Sequence, residues 1–279
     1  VPTNKQRRQA AQRHLQRQLE RRAEQAKKRR RNLGILASVI AVVVVVGAAL
    51  LITGVFDGDD TQAAGDPTPS ADLPTSAAAP STNADGTVSC TYATDTSGNT
   101  NLTDVGTPPD PEATPATGTT TLLMSTDQGD LTLTLDKAKA PCAAASFTYL
   151  AQQSFFDGST CHRLVVQPSF GVLQCGDPTG TGSGGPSYKY AEEVTPETTY
   201  PRGTIAMAKT MAPGTTGSQF FLCFADTTLP PEYTVVGTVD EAGLAVLDTV
   251  AAGGIKDVGA EGDGAPATPV TISTLSVVA

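Results

Sequence analysis

The chain has 279 residues and a net charge of −9 at pH 7, long enough for one or two domains whose core needs only part of it. That charge averages two opposites: 12 of the 19 Lys and Arg fall within residues 1–31, and the remainder carries 7 basic against 26 acidic side chains. A uniformly acidic globule is therefore excluded, and each part has to be read separately.

Residues 1–32 form a basic arm, "QRRQAAQRHLQRQLERRAEQAKKRRR" over 6–31, with helix-forming composition and no Gly or Pro in that run. Charge alone would allow nucleic acid as its partner. Its position beside the next segment favours anionic lipid and the setting of membrane topology, so no nucleic acid is expected. That segment, "LGILASVIAVVVVVGAALLITGVF" at 33–56, carries no charge. At about 1.5 Å per residue it reaches roughly 36 Å, enough to cross a hydrocarbon core of about 30 Å. A basic flank before and "DGDD" after predict a single-pass membrane protein with a cytoplasmic N-terminus and an extracytoplasmic C-terminal domain. A cleaved signal peptide is the alternative, but its apolar run would be about 7–15 residues. Residues 57–87 are rich in Pro, Ala, Ser, Thr and Asp and predict a disordered linker. Residues 88–118 read as a semi-ordered lead-in, in which "VSCTY" at 88–92 would be a short strand or a disulfide hook. "NLT" at 101–103 fits the glycosylation pattern and is read as a chance match.

From residue 119 the pattern changes to "TTTLLMSTDQGDLTLTLD", two alternating runs around a turn, which predicts a hairpin. "APCAAASFTYLAQQSFF" at 140–156 predicts a helix with Pro141 at its start. Short β-type runs follow: "TCHRLVV", "GVLQCG", "GTIAMAK", "SQFFLCFA" and "YTVVGTV". A second helix is predicted at 241–253 and a closing strand in "PVTISTLSVV". The class is mainly β, a barrel capped by two helices.

The five cysteines, 90, 142, 161, 175 and 223, all follow the predicted span, where disulfides are permitted, and an odd number leaves one over. Sequence does not determine connectivity; the first pairing expected is Cys142 with Cys161. A single histidine beyond the predicted span and no C-x-x-C argue against zinc, so no metal is expected. "GTGSGG" at 180–185 matches a dinucleotide fingerprint by letters only, because Pro186 follows where a helix should open. No serine sits in G-x-S-x-G and His162 has no evident acid partner, which disfavours a hydrolase.

"FDGSTCHR", "QCGDPTGTG", "MAKT" and "TGSQFF" occur in that order within residues 119–279. In these phrases the chain resembles the cyclophilin family of peptidyl-prolyl isomerases. The resemblance implies a closed eight-stranded antiparallel barrel with a helix at each end and an active groove outside it. It implies catalytic roles for Arg163 and Gln174 and a substrate groove of Phe170, Val172, Ala208, Phe221, Leu229 and Tyr233, with no cofactor. Several positions depart from the family pattern. The run "VVQPSFGVLQ" is longer than usual, leaving Phe170 one position out of register and Val172 in a methionine's place. Tyr233 stands for a histidine, and Lys209 and Thr216 each stand for an asparagine. With no tryptophan in the chain, tight cyclosporin binding is not expected.

Rotation about a peptide bond costs about 18–20 kcal/mol, and X-Pro bonds equilibrate only over roughly tens to hundreds of seconds. A donor aimed at the nitrogen as it loses resonance binds the twisted state best. Arginine suits this because it stays protonated and holds a rigid fork of donors. Arg163 thus reads as a lone cation whose target is a neutral amide. Strand alternation turns its neighbour His162 inward as packing, with Met207, Phe220 and Cys223 as further core. The expected activity is isomerisation of X-Pro bonds in exported or cell-envelope proteins by a membrane-tethered monomer. The alternative is a catalytically weak module that only binds proline-containing peptides.

Overall fold

Alternating burial builds the framework. The computed structural model describes residues 80–260 and 262–278; the basic arm, the candidate span and the linker up to residue 79 lie outside the described residues. Strands β1 (Thr119–Thr126) and β2 (Gly129–Asp136) pair in unbroken antiparallel register from Thr126 and Gly129 to Thr119 and Asp136. Their Leu122, Met124, Leu131, Leu133 and Leu135 are buried in one core, and each such side chain contributes about 1.5–3 kcal/mol. The Thr residues between them point away.

Helix α1 (Pro141–Gln152) buries Ala143, Ala144, Phe147, Leu150 and Ala151. It stops short of the predicted Phe156 because Ser154 adopts φ 54°, yet Phe155 and Phe156 still pack into the core. Phe147, Phe156 and Phe220 form a ring cluster with centroids 4.9 to 5.9 Å apart. No residue of the chain entering α1 caps it by side chain. Glu193 does so from 50 residues away, accepting from the N–H groups of Cys142 and Ala143 at 3.0 and 2.8 Å. Burial pushes the Glu193 carboxyl up to about 7, against the lowering by those two bonds.

The remaining elements are β3 (Arg163–Gln167), β4 (Phe170–Cys175), β5 (Thr204–Met207), β6 (Phe220–Cys223) and β7 (Val235–Val239). Helix α2 (Glu241–Gly253) follows, its first turn capped by Asp240, which accepts from Gly243 N–H at 2.9 Å. Then come β8 (Ile255–Ala260), β9 (Asp263–Pro266) and β10 (Ile272–Val277).

The sheet order is β8–β9–β3–β4–β6–β5–β7–β2–β1–β10, every neighbouring pair antiparallel. This corrects the expected closed eight-stranded barrel: the sheet has ten strands, and no ladder joins β8 to β10. The added pair β8/β9 comes from "IKDVGAEGDGAP", whose glycines and charges hide any alternation. The segment entering β3 meets the start of β10, with Gly158 N–H donating to Ile272 and Cys161 N–H to Val270 at 2.7 and 2.9 Å.

The lead-in packs on this framework. Val88–Ser89 pairs with Ser81–Thr82, Ala93–Thr94 with Tyr188–Lys189, and Leu102–Thr103 runs parallel to Gly185–Pro186. Tyr92 lies edge-on to Tyr188 and Tyr190 and donates to the Cys142 carbonyl at 2.9 Å. "VSCTY" is therefore both strand and hook. The expected Cys142–Cys161 disulfide is corrected: Cys142 bonds Cys90, Cys161 bonds Cys175, and Cys223 is free. Cys161 and Cys175 flank the β3/β4 pairing with Cα atoms 4.0 Å apart, whereas Cys142 opens α1. Closing the 52-residue span from Cys90 to Cys142 restricts the unfolded chain by about 4 kcal/mol in the loop-entropy picture. Among the described residues no helix is long and apolar enough to cross a membrane.

Candidate active site

The β3/β4 hairpin presents two faces. Leu164, Leu173 and Cys175 enter the main core. On the other face Arg163 pairs with Gln174, Val165 with Val172 and Gln167 with Phe170. Pro168 and Ser169 form a two-residue turn, with Ser169 at φ 61°. Even spacing is thereby kept, so Phe170, Val172 and Gln174 share one face. Phe170 is not displaced from the groove, which corrects the out-of-register reading. Neighbouring β6 sets Phe221 opposite Gln174 and Cys223 opposite Val172, and β5 sets Ala206 opposite Phe221.

Those residues make a second apolar cluster of Val165, Val172, Tyr200, Ala206, Phe221 and Cys223. Above it lies a pocket of about 140 Å³ that brings together all eight residues named from the sequence, with Lys209 added to its wall. Val172 and Phe221, 2% and 5% exposed, form the floor; Phe170, Leu229 and Tyr233 are half-buried walls. Phe221 and Tyr233 stack edge-on at 5.6 Å. The space has an apolar floor and a polar rim of Arg163, Gln174 and Lys209, and its volume suits one small ring.

Arg163 stands at the rim, 6.0 Å from the Phe170 ring centroid. It is not the lone cation expected. Its Nε and Nη2 donate to Asp263 Oδ1 and Oδ2 at 2.8 and 2.7 Å, and its Nη1 donates to Gln174 Oε1 at 3.2 Å. The hydrogen bond to Asp263 holds the guanidinium pKa above its ordinary value, and the reciprocal bond holds the Asp263 carboxyl below the usual carboxylate range. Gln174 Nε2 donates onward to Gln219 Oε1 at 3.0 Å, and Gln219 Nε2 to the carbonyls of Gly182 and Gly184, each at 3.0 Å. The fork is thus fixed from both sides before any substrate arrives.

Three supporting residues escaped the sequence reading. Gln219 had a signal, as the polar letter of "SQFF". Asp263 had none, since it lies 100 residues from Arg163 in a glycine-rich strand. Tyr200 lies outside the sheet strands, bridging Thr227; its hydroxyl accepts from Tyr233 N–H at 3.0 Å, and the Pro230 and Tyr233 carbonyls, at 3.1 and 3.2 Å, share its one proton. It fixes the segment carrying Leu229 and Tyr233.

The glycine-rich loop after β4 wraps the fully buried Asp177. Its carboxylate accepts from Thr179 N–H at 2.7 Å and Gly182 N–H at 2.6 Å. No helix opens there, in keeping with rejection of the dinucleotide motif. His162 precedes β3 rather than belonging to it, so strand alternation does not orient it inward. It packs on this loop, where a Cβ on Gly182 would come within 3.2 Å of the ring. Burial lowers its pKa, and it does not line the pocket. Met207, Phe220 and Cys223 are all buried in core as expected, Met207 and Phe220 in the main cluster and Cys223 in the one under the pocket, its thiol pushed up to about 12 by burial. Lys209 Nζ lies 3.7 Å from Glu232 Oε2 and 5.7 Å from the Tyr233 ring centroid. Thr216 is buried and donates to Glu192 at 3.1 Å.

The site is thus an antiparallel sheet with two helices that carries a fixed arginine fork beside a ring-sized pocket on its outer face. The family described as "Cyclophilin type peptidyl-prolyl cis-trans isomerase/CLD" matches residues 121–277, and the chain belongs to it. The chain is 49% identical over 164 residues to the probable peptidyl-prolyl cis-trans isomerase B of Mycobacterium leprae, covering 54% of this chain and 55% of that one. It is 33% identical over 176 residues to peptidyl-prolyl cis-trans isomerase A of Mycobacterium tuberculosis, covering 57% and 92%. A crystal structure of a Cryptosporidium parvum cyclophilin-type isomerase superimposes with TM-score 0.50 at 27% identity, covering 58% of this chain and 99% of that one. The chain spans about half the length of the first curated relatives it matches.

Proposed function

We propose that the chain is a peptidyl-prolyl cis-trans isomerase, accelerating rotation of X-Pro bonds in exported or cell-envelope polypeptides. The observation that carries the reading is the Arg163 fork, held by Asp263 and Gln174 at the rim of the pocket formed by Phe221, Val172, Phe170 and Leu229. A proline ring held in that pocket presents its amide to the rim. As the bond twists, the nitrogen becomes a better acceptor, and a guanidinium N–H donates to it more strongly than in either planar state. The step needs neither a nucleophile nor a proton transfer to substrate.

The compartment follows from separate features. Two disulfides in this domain suit an oxidising space, and the charge asymmetry about residues 33–56 suits a single span with the domain outside. The partner at the basic arm is then anionic lipid, and the chain acts as a tethered monomer.

The test is catalysed cis-trans exchange of a proline peptide by the full chain, followed with equilibrium binding of the same peptide. Exchange accelerated at substoichiometric protein supports the isomerase. Binding without acceleration transfers the site to the weaker role of a proline-binding module. Protease accessibility in intact cells tests the topology: cleavage of the domain from outside is expected, and full protection would contradict it.

A further inference from the structure

Beyond residue 118 the chain has only seven basic side chains, and three of them, Arg163, Lys189 and Lys209, come to one face. Arg163 has Asp263 as partner. The other two line a recess of about 480 Å³ beside the proline pocket, which it joins through shared Gln174, Ala208 and Lys209. Its far wall is the lead-in, which contributes Asp95, Asn99 and Leu102. The wall is fixed by pairing of Ala93–Thr94 with Tyr188–Lys189 and by Asn99 Nδ2 donating to the Ser183 carbonyl at 2.7 Å.

Lys189 is only 9% exposed. Among the described residues its ammonium makes no hydrogen bond and no ion pair. Its nitrogen is not among the buried side-chain atoms that lack a partner, so the stem is buried while the ammonium keeps access to the solvent of the recess. Asp95 acts on it through space, but that carboxylate already accepts from Ser97 N–H at 2.7 Å. Lys209, its side chain 7% exposed, donates to the Thr210 carbonyl at 3.3 Å and holds Glu232 at 3.7 Å. Two lysines therefore line the recess against one carboxylate on its wall, Asp95, in a domain that is otherwise strongly acidic.

We propose that this recess is an anion-recognising subsite, taking the carboxylate of an Asp or Glu side chain from the polypeptide whose proline fills the neighbouring pocket. The proposal rests on the reading of that pocket as a proline site. It makes the lead-in part of the substrate surface and Lys189 the residue that selects sequence context around proline.

The experiment uses peptides with one proline and Glu, Gln or Lys placed in turn at each of the three positions on either side. Equilibrium binding and catalysed exchange are both measured with the full chain. Glu at one position is expected to bind about three- to ten-fold more tightly than Gln, and the gap narrows in about 0.5 M salt. Lys189→Met removes the gap and Lys189→Arg keeps it; Lys189→Gln serves where Lys189→Met does not fold. Equal binding of Glu and Gln at every position overturns the proposal, as does a gap that survives loss of the Lys189 charge. Tighter binding of the Lys peptide overturns it in favour of Asp95. Loss of exchange with the Glu preference intact would instead sink the isomerase reading and leave the subsite standing.

Discussion

The two faces of the β3/β4 hairpin obey the same alternation but are completed differently. The inner face holds Leu164 and Leu173, for which apolar contact is enough, and Cys175, which bonds Cys161 nearby. The outer face holds Arg163 and Gln174, which need partners with direction: Asp263, 100 residues away from Arg163, and Gln219, 45 away from Gln174. Period two says which way a residue points. It does not say what meets it there.

That difference predicts separable effects. The largest on stability is expected inside: Leu164→Ala should cost about 2–5 kcal/mol in denaturant unfolding, while exchange activity per folded molecule stays near wild type. An inner-face substitution that instead removes activity without loss of stability would break the division between the faces.

On the outer face, Asp263→Asn should lower kcat/KM about ten-fold, since an aimed donor loses its fixed orientation, with stability changed by less than about 1 kcal/mol. The effect should fall on kcat rather than KM. Asp263→Glu should restore part of it, and an unchanged kcat would show that Asp263 does not position the fork.

The Glu193 cap on α1 gives a smaller, pH-dependent effect. Glu193 binds its proton more tightly in the folded than in the unfolded chain, so the penalty for its buried charge is absent at low pH and grows as pH rises from about 4.5 to about 7. Folding stability should therefore fall over that window, by at most about 3 kcal/mol. Glu193→Gln should flatten this part of the curve, as urea midpoints across the range would reveal.

The smallest expected effect is on the activity profile itself. Arg163 is shifted up, Asp263 down and His162 down, so kcat/KM should be nearly flat between about pH 6 and 8. The Asp263 contribution is present above its unfolded value and is lost as pH falls through its depressed folded value. A steep step near the ordinary histidine range would assign a titrating group the chemistry does not need.

Much of this was legible along the chain and much was not. The first hairpin and α2 follow local periodicity, and the second helix occupies the predicted 241–253. Arg163, Gln174, Ala208 and Phe221 were legible because four short phrases carry them, Phe170, Val172, Leu229 and Tyr233 from their places in the runs between and after those phrases, and the pocket unites all eight. Ten-strand order, the Cys90–Cys142 disulfide and the Asp263 contact depend on pairings between distant segments. In "IKDVGAEGDGAP" glycines supply turns and leave no side-chain rhythm to read. Phe170 illustrates the same limit: its run looked a residue too long until the turn at Pro168 and Ser169 restored even spacing.

The central claim is that Arg163 acts on the twisted bond rather than on the resting peptide. Exchange spectroscopy on one X-Pro peptide, with the dissociation constant measured alongside, separates the two. Arg163→Ala is predicted to lower the catalysed exchange rate about 100-fold or more while the dissociation constant changes by less than about three-fold. Equal exchange rates for wild type and Arg163→Ala would contradict the account.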